Sequence, residues 1–362
     1  MRYARFFSSI LLMLVGVLSG CGNKQEIQLT ESEFRPINED AAVFWDRQTT
    51  ESAELLRTMA EEFNRQWQGL PIKVERAGTY SDIFRKITAG IQAKQLPAMA
   101  VSYESMTNEY VLTGAVAPLN NLITDPEIGL SKEALDDYYD TMLETNRSGI
   151  HSDTLYSFPF AKSLLMLYFN KHVLEQSGIS ALPKTWDEFV EQCRLVKSKT
   201  GKYAHAVHAD CSTLNGMIYS MGGNIVEQKT TLYDSEPALA ALHIYETLHR
   251  EELAYLIPPG SYDDNMALSK GEIAFVLRSS SGLGDMMLLM ENDPEGWGMV
   301  CIPQRNPQSP ATVLYGPNIC IFNTTEAQKR AAWAFVKHFT EPESAVRWSL
   351  ETGYLPVRKS AL

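Results

Sequence analysis

Beyond residue 20 the chain has no apolar run approaching the roughly 18 residues that a helix needs to cross a bilayer, so the body is expected to be soluble. Cysteine is scarce: five in 362 residues, at positions 21, 193, 211, 301 and 320. So few in so long a chain exclude a disulfide framework, although a single bridge in an oxidising compartment stays open. Positive charge is also in deficit, with 32 Lys and Arg against 44 Asp and Glu. An acidic surface argues against nucleic acid and against a polybasic membrane contact. Several catalytic signatures are missing. The run Ser279-Ser280-Ser281-Gly282-Leu283-Gly284 has the wrong order for a nucleophile elbow, there is no P-loop, and His243 and Glu246 in H-I-Y-E do not make H-E-x-x-H. No cofactor and no metal site is expected, and no internal repeat of 20–50 residues is found.

The N-terminus has a basic start, Arg2 and Arg5, followed by an apolar run over residues 10–18 that is too short to span and has the shape of a signal-peptide core. Leu18-Ser19-Gly20-Cys21 then resembles the bacterial lipobox. That resemblance implies cleavage before Cys21 and lipid on its sulfur and new N-terminus; several acyl chains on one residue anchor stably where one does not. Losing residues 1–20 removes two arginines and no acid, which moves the formal net charge from −12 to −14. Residues 21–40 are polar and without periodicity, and are expected to form a tether.

The remaining chain, at about 150 residues per domain, suggests two lobes. Strand candidates at 42–45, 72–75 and 98–103 alternate with helical patterns at 51–67 and 83–91, the βαβ signature of a parallel sheet with helices on its faces. A second set begins with a strand at 164–169. Thr185 and Glu188 predict a capping box, with Gly201 as the stop. Strands are expected at 271–277 and 313–322, then a second capping box at Thr325 and Gln328. The helix behind it carries Ala332, Trp333, Val336 and Phe339 on one stripe, and Pro342 starts another running to about Glu351. Residues 118–130 and 302–311 read as loops.

Several segments, in order, resemble the extracellular solute-binding proteins of ABC importers, the family of maltose-binding protein. They are 44–64 (FWDRQTTESAELLRTMAEEFN), 112–123, 158–178, 182–189 (LPKTWDEF), 271–277 (GEIAFVL) and 352–362 (TGYLPVRKSAL). The subgroup most resembled binds glycerol-3-phosphate and glycerophosphodiesters. The resemblance implies an α/β fold of two lobes, each a mostly parallel sheet flanked by helices, joined by hinge crossings. The expected division is 41–160 with 279–313 in the first lobe and 161–278 with 314–362 in the second. It also implies a solute caught between lobes, a membrane permease with a cytoplasmic ATPase as partner, a monomeric receptor and no catalysis.

Ligand contacts carried over from the subgroup fall on Tyr80 of Gly78-Thr79-Tyr80, Glu104, Ser163, Ser280, Gly316 and Tyr354 of Gly-Tyr-Leu-Pro. Glu104 suits two hydroxyls of a polyol, the tyrosines suit donation to phosphate or stacking, and Gly316 suits close backbone approach. Two departures stand out. The family chain usually continues for several helices past Gly-Tyr-Leu-Pro and supplies a phosphate-binding arginine there, which has no counterpart before Leu362. The subgroup's tryptophan near 208–216 is also missing. Lys162 and Arg278, both expected at lobe crossings, are candidates to stand in for the arginine; pairing with an acid such as Glu104, or pointing out to water, is the competing expectation.

Rival readings are a glycoside hydrolase using Glu104 with a second carboxylate, a surface lipoprotein that has lost transport, and a zinc receptor using His205 and His208. The alternation of Y-A-H-A-V-H points to a strand, on which positions three apart face opposite sides, against a shared metal.

Overall fold

A computed structural model describes residues 33–48, 50–147, 154–258, 261 and 263–362, which belong to one compact unit. The expected leader, Cys21 and the first part of the tether lie outside these residues.

The early alternation of short apolar runs and amphipathic helices becomes a βαβαβ unit. It runs β1 (Ala42–Asp46), α1 (Thr50–Gln66), β2 (Ile72–Arg76), α2 (Tyr80–Ala93) and β3 (Met99–Ser102). Next come α3 (Glu104–Leu112) and β4 (Phe158–Pro159). β1 lies between β2 and β3 and is parallel to both. Parallel neighbours need a crossover, and the helices supply it. The stretch expected to be a loop at 118–130 holds a short helix, Asn120–Ile123, with Leu122 and Ile123 buried.

The chain then leaves this sheet for a second one. Its elements are β5 (Ser163–Asn170), α4 (Trp186–Thr200), β6 (His205–Val207), α5 (Cys211–Ser220), α6 (Glu236–Arg250) and β7 (Ala254–Leu256). They continue with β8 (Phe275–Ser279), α7 (Leu283–Leu289), β9 (Trp297–Cys301) and β10 (Leu314–Tyr315). The strand order is β7-β6-β8-β5-β9, with β10 also on β5. Finally β11 (Asn318–Ile321), α8 (Glu326–Phe339) and α9 (Pro342–Thr352) return to the first sheet, whose order is β2-β1-β3-β11-β4. Each sheet has parallel pairs where helices cross over, and antiparallel pairs along β5 and β11.

This pairing corrects the expected lobe membership. Residues 279–313 stay with the second sheet, because β9 pairs with β5 and Met286 and Trp297 lie in the core cluster that holds Tyr168 and Val276. Residues 318–357 join the first, because β11 pairs with β3 and Trp333, Phe335 and Trp348 pack in one core with Phe44 and Phe158. The chain therefore crosses at 160–162 and again at 316–317, and 279–281 is no crossing. The expected strand 313–322 is split there: Gly316, at φ +109°, separates β10 in one sheet from β11 in the other.

The tether is shorter than expected. Phe34 is 1% exposed in the first core, and Arg35–Pro36 pairs with Gln95–Leu96. The amide of Gln328 donates to the carbonyls of Asn38 and Ala41, fixing residues 38–41 against α8.

Candidate functional site

The first lobe brings its candidate residues to the carboxyl ends of β1, β2 and β3, where ligands of open α/β sheets gather. Gly78, at φ +108°, turns the chain out of β2. Thr79 then caps α2: its hydroxyl accepts from the Asp82 amide at 3.2 Å, and the Asp82 carboxylate accepts from the Thr79 amide at 2.9 Å. The Thr79 hydroxyl also donates to that carboxylate at 2.7 Å, and the bonds it accepts from the Thr79 hydroxyl and amide hold the Asp82 carboxyl well below its usual range. The box satisfies the first free amides of the helix and places Tyr80 at its first position.

The Tyr80 ring lies 4.5 Å from that of Tyr103, tilted by 55°. The Arg47 guanidinium stands 5.1 Å from the Tyr80 ring centre, a cation–π distance. Tyr354 stacks on Trp348 at 6.0 Å and 5°, and its hydroxyl lies 3.5 Å from the Gln48 amide nitrogen, the outer limit of a hydrogen bond. Burial raises the Tyr80 phenol well above its usual range, with Tyr103 and Tyr354 adding to the effect and Arg47 opposing it. Burial likewise pushes Tyr103 up to about 12. All three rings are half-buried.

Glu104 opens α3 directly after Tyr103. Its Oε1 accepts from Asn318 Nδ2 at 3.0 Å and from Lys162 Nζ at 3.3 Å. Lys162 also donates to the Gly316 carbonyl at 3.1 Å. The pair is asymmetric: Lys162 is 1% exposed and Glu104 40%. Burial pulls the Lys162 ammonium below the usual lysine range, and Glu104 opposes that pull. Of the two expectations for Lys162, the structure thus gives the pairing with Glu104. The lysine spends its charge beneath the carboxylate and ties both crossings to it. Gly316 is required here, since a Cβ would sit 2.0 Å from the Ala161 carbonyl oxygen.

The second lobe's candidates are engaged internally. Arg278 Nη1 lies 2.6 Å from each oxygen of Asp264, a carboxylate with no exposed surface. His208 Nε2 is 2.7 Å from the same carboxylate. Burial alone would raise the Asp264 carboxyl, but the His208 bond and the Arg278 charge bring it down to about 2. Arg278 therefore does not stand as a spare cation at a crossing. The Ser280 hydroxyl accepts from the Leu164 amide at 3.2 Å, and the buried Ser163 hydroxyl reaches the Tyr315 carbonyl at 3.5 Å. His205 is buried with its Nδ1 on the Phe275 carbonyl, while His208 is held by Asp264. Among the described residues, no three His, Cys, Asp or Glu side chains are grouped to hold a metal.

Tyr80, Glu104, Gly316 and Tyr354 are thus brought into one neighbourhood, with Lys162 beneath it, while Ser163, Arg278 and Ser280 each make hydrogen bonds within the second lobe. Arg47, Tyr103, Tyr315 and Asn318 were missed. Tyr103 directly precedes Glu104, and Arg47 lies two residues past the strand expected at 42–45, so position along the chain carried a signal for both. Tyr315 had none: burial raises its phenol above the usual range against a hydrogen bond with Ser279, and the charges that act on it come from both lobes.

The model of the family described as bacterial extracellular solute-binding protein matches residues 58–362. The chain belongs to that family. This solute-binding protein is 22% identical over 332 residues to the sn-glycerol-3-phosphate-binding periplasmic protein UgpB of Agrobacterium fabrum, a match covering 88% of this chain and 74% of that one. The UgpB of Escherichia coli K12 is 22% identical over 337 residues, with the same coverage of each. Among solved structures, UgpB from Mycobacterium tuberculosis in complex with glycerophosphocholine aligns with a TM-score of 0.77 at 24% identity, over 90% of this chain and 83% of that one. The sugar-binding protein MalE from Xanthomonas citri aligns at 0.74 and 20%, over 89% and 80%. At such identities the structural likeness shows the fold, the two-lobed α/β architecture. Among the described residues no helix is long and apolar enough to cross a membrane.

Proposed function

We propose that this protein is the lipid-anchored, monomeric receptor of an ABC importer, closing its lobes on a sugar, polyol or glycerol-phosphate-type solute and presenting it to a membrane permease. The observation that carries the reading is the Glu104 arrangement. One carboxylate oxygen is held by Asn318 and Lys162, and the half-exposed side chain stands beside Tyr103, with Tyr80 and Tyr354 nearby. A fixed acceptor next to aromatic faces suits a solute with hydroxyls and an apolar edge. The names of the glycerol-3-phosphate and sugar-binding relatives support the same class. The reading involves no bond making. Closure needs only that the solute bind the closed form more tightly than the open one.

Melting the full chain with sn-glycerol-3-phosphate, glycerophosphocholine and maltose tests the solute class, since specific binding raises apparent stability. At least one should raise the melting temperature, and Glu104→Gln should weaken its binding about ten-fold or more by removing a charged acceptor. No shift with any solute would sink the reading. The anchor rests on the lipobox resemblance at Cys21. Expressed in a bacterium with its leader, the wild-type chain should sediment with membranes and Cys21→Ser should not; equal partition of the two would remove the anchor from the proposal.

A further inference from the structure

Three cations were candidates to set the charge of the solute. Lys162 is buried against Glu104, and Arg278 is bound to Asp264. The third, Arg47, was not foreseen from the sequence. It follows β1 at the carboxyl end of the sheet, half-buried, with its guanidinium over the Tyr80 ring at 5.1 Å. It hydrogen-bonds the Tyr80 phenol, and its charge acts on the phenols of both Tyr80 and Tyr103.

The groups around it are mostly donors. Tyr80 and Tyr103 titrate above their usual range and so keep their protons at neutral pH. The Tyr354 hydroxyl faces the Gln48 amide nitrogen, which donates to it, leaving its own proton to give. The Tyr80 hydroxyl is bonded to Arg47 and Tyr103. A guanidinium carries five N–H donors, and with the O–H groups of Tyr103 and Tyr354 beside it this fork complements a group that offers several acceptors, which is the chemistry of an oxyanion. Two carboxylates stand nearby. Glu104 has its charge balanced by Lys162 and keeps Oε2 for a hydroxyl donor. Asp46 is 2% exposed and turned to the Gln48 amide, and burial holds its carboxyl up to about 6.

We propose that Arg47 is a specificity-determining residue of this site, selecting solutes that carry a phosphoryl or carboxyl oxyanion beside the hydroxyls taken by Glu104. The proposal rests on the solute-binding reading above and deepens it. Arg76 provides a matched control. It ends β2, across from Asp46, and lines an opening of about 470 Å³ together with Arg85 and Lys86. It carries the same charge on the same lobe but is exposed.

Calorimetry on the full chain decides the matter, using sn-glycerol-3-phosphate, glycerate and glycerol with wild type, Arg47→Ala, Arg47→Lys and Arg76→Ala. Arg47→Ala should weaken binding of the charged solutes about thirty-fold and leave glycerol unchanged, as expected for a lost charge-assisted fork. Arg47→Lys should fall between, keeping the charge without the fork. Arg76→Ala should change affinity less than about three-fold, and only at low salt, because exposed charges at a distance are screened. The phosphate and carboxylate arms show which oxyanion fits. An Arg47→Ala protein that melts like wild type and still binds the charged solute with wild-type affinity overturns the proposal. So does an equal loss in Arg76→Ala, or a wild type that prefers glycerol. Each of these leaves the solute-binding reading standing. If wild type binds none of these solutes and no sugar either, both readings fall.

Discussion

The two lobes prepare their facing walls in opposite ways. On the first, Tyr80, Tyr103 and Tyr354 are half-buried, Arg47 lies over one ring, and Glu104 has one oxygen fixed and its side chain 40% exposed. On the second, Arg278 is bound by both oxygens of Asp264, His208 shares that carboxylate, and the Ser280 hydroxyl accepts from the Leu164 amide. A polar group already paired inside the protein must break that bond before it can serve a ligand, which costs much of what the new bond gains. On the proposed function, the first wall would recognise the solute and the second would close over it as a largely preformed surface. Glu104 joins the two roles: through Lys162 it is tied to the carbonyl of Gly316 at the second crossing, so a change at the carboxylate is felt where the lobes are joined.

The largest expected effect comes from breaking that join. Gly316→Ala would place a methyl 2.0 Å from the Ala161 carbonyl, at a φ of +109° that side chains resist. Backbone, not a side-chain tip, would have to move, and it belongs to the other crossing. A loss of about 4 kcal/mol or more is expected in urea unfolding, followed by both lobes. If the variant unfolds within about 1 kcal/mol of wild type, the crossings are not the rigid joint described here and the contrast between the walls loses its mechanical meaning.

Local patterns were legible wherever the cause was local. The capping box of Thr185 and Glu188 forms as expected, each side chain bonding the other's backbone, and Gly201 ends the helix at φ +72°. The box expected at Thr325 and Gln328 forms only by half. Thr325 accepts from the Gln328 amide, but the Gln328 side chain turns to Asn38 and Ala41, almost 290 residues away in sequence. The partner of Arg278 was illegible for the same reason, since Asp264 stands on a helix that only the fold brings beside it, whereas pairing of Lys162 with Glu104 was among the expectations and is met. The lobe assignment after residue 279 failed because the resemblance placed a crossing there, whereas the pairing of β9 with β5 and of β11 with β3 decides the sheet of each. Within the site, Tyr80, Glu104, Gly316 and Tyr354 came from motif resemblance, while Arg47 needed the fold to show it beside Tyr80.

A smaller and more selective test uses one buried titrating group from each lobe. In the first, burial pushes Asp46 from 3.8 up to about 6, with the Gln48 amide as the leading opposing influence. In the second, burial pulls His205 from 6.5 down to about 4, against its bond to the Phe275 carbonyl. The folded state holds the Asp46 proton more tightly than the unfolded chain. Its contribution to stability is therefore full below about pH 4 and is lost as pH rises through about 6. For His205 the unfolded chain binds the proton more tightly, so stability is lost as pH falls from 6.5 through about 4. The two slopes are opposite over one window, each on the order of 2 kcal/mol. Asp46→Asn keeps an oxygen for the Gln48 amide and removes the charge. Its stability relative to wild type should climb between pH 4 and 6.5, ending higher at pH 7. His205→Asn should show the reverse trend, gaining relative to wild type as pH falls. Urea midpoints at half-unit steps across pH 4 to 7 separate the two. Parallel trends in the two variants would mean that the lobes do not differ in what they bury, and a flat Asp46→Asn difference would place that carboxylate in contact with water.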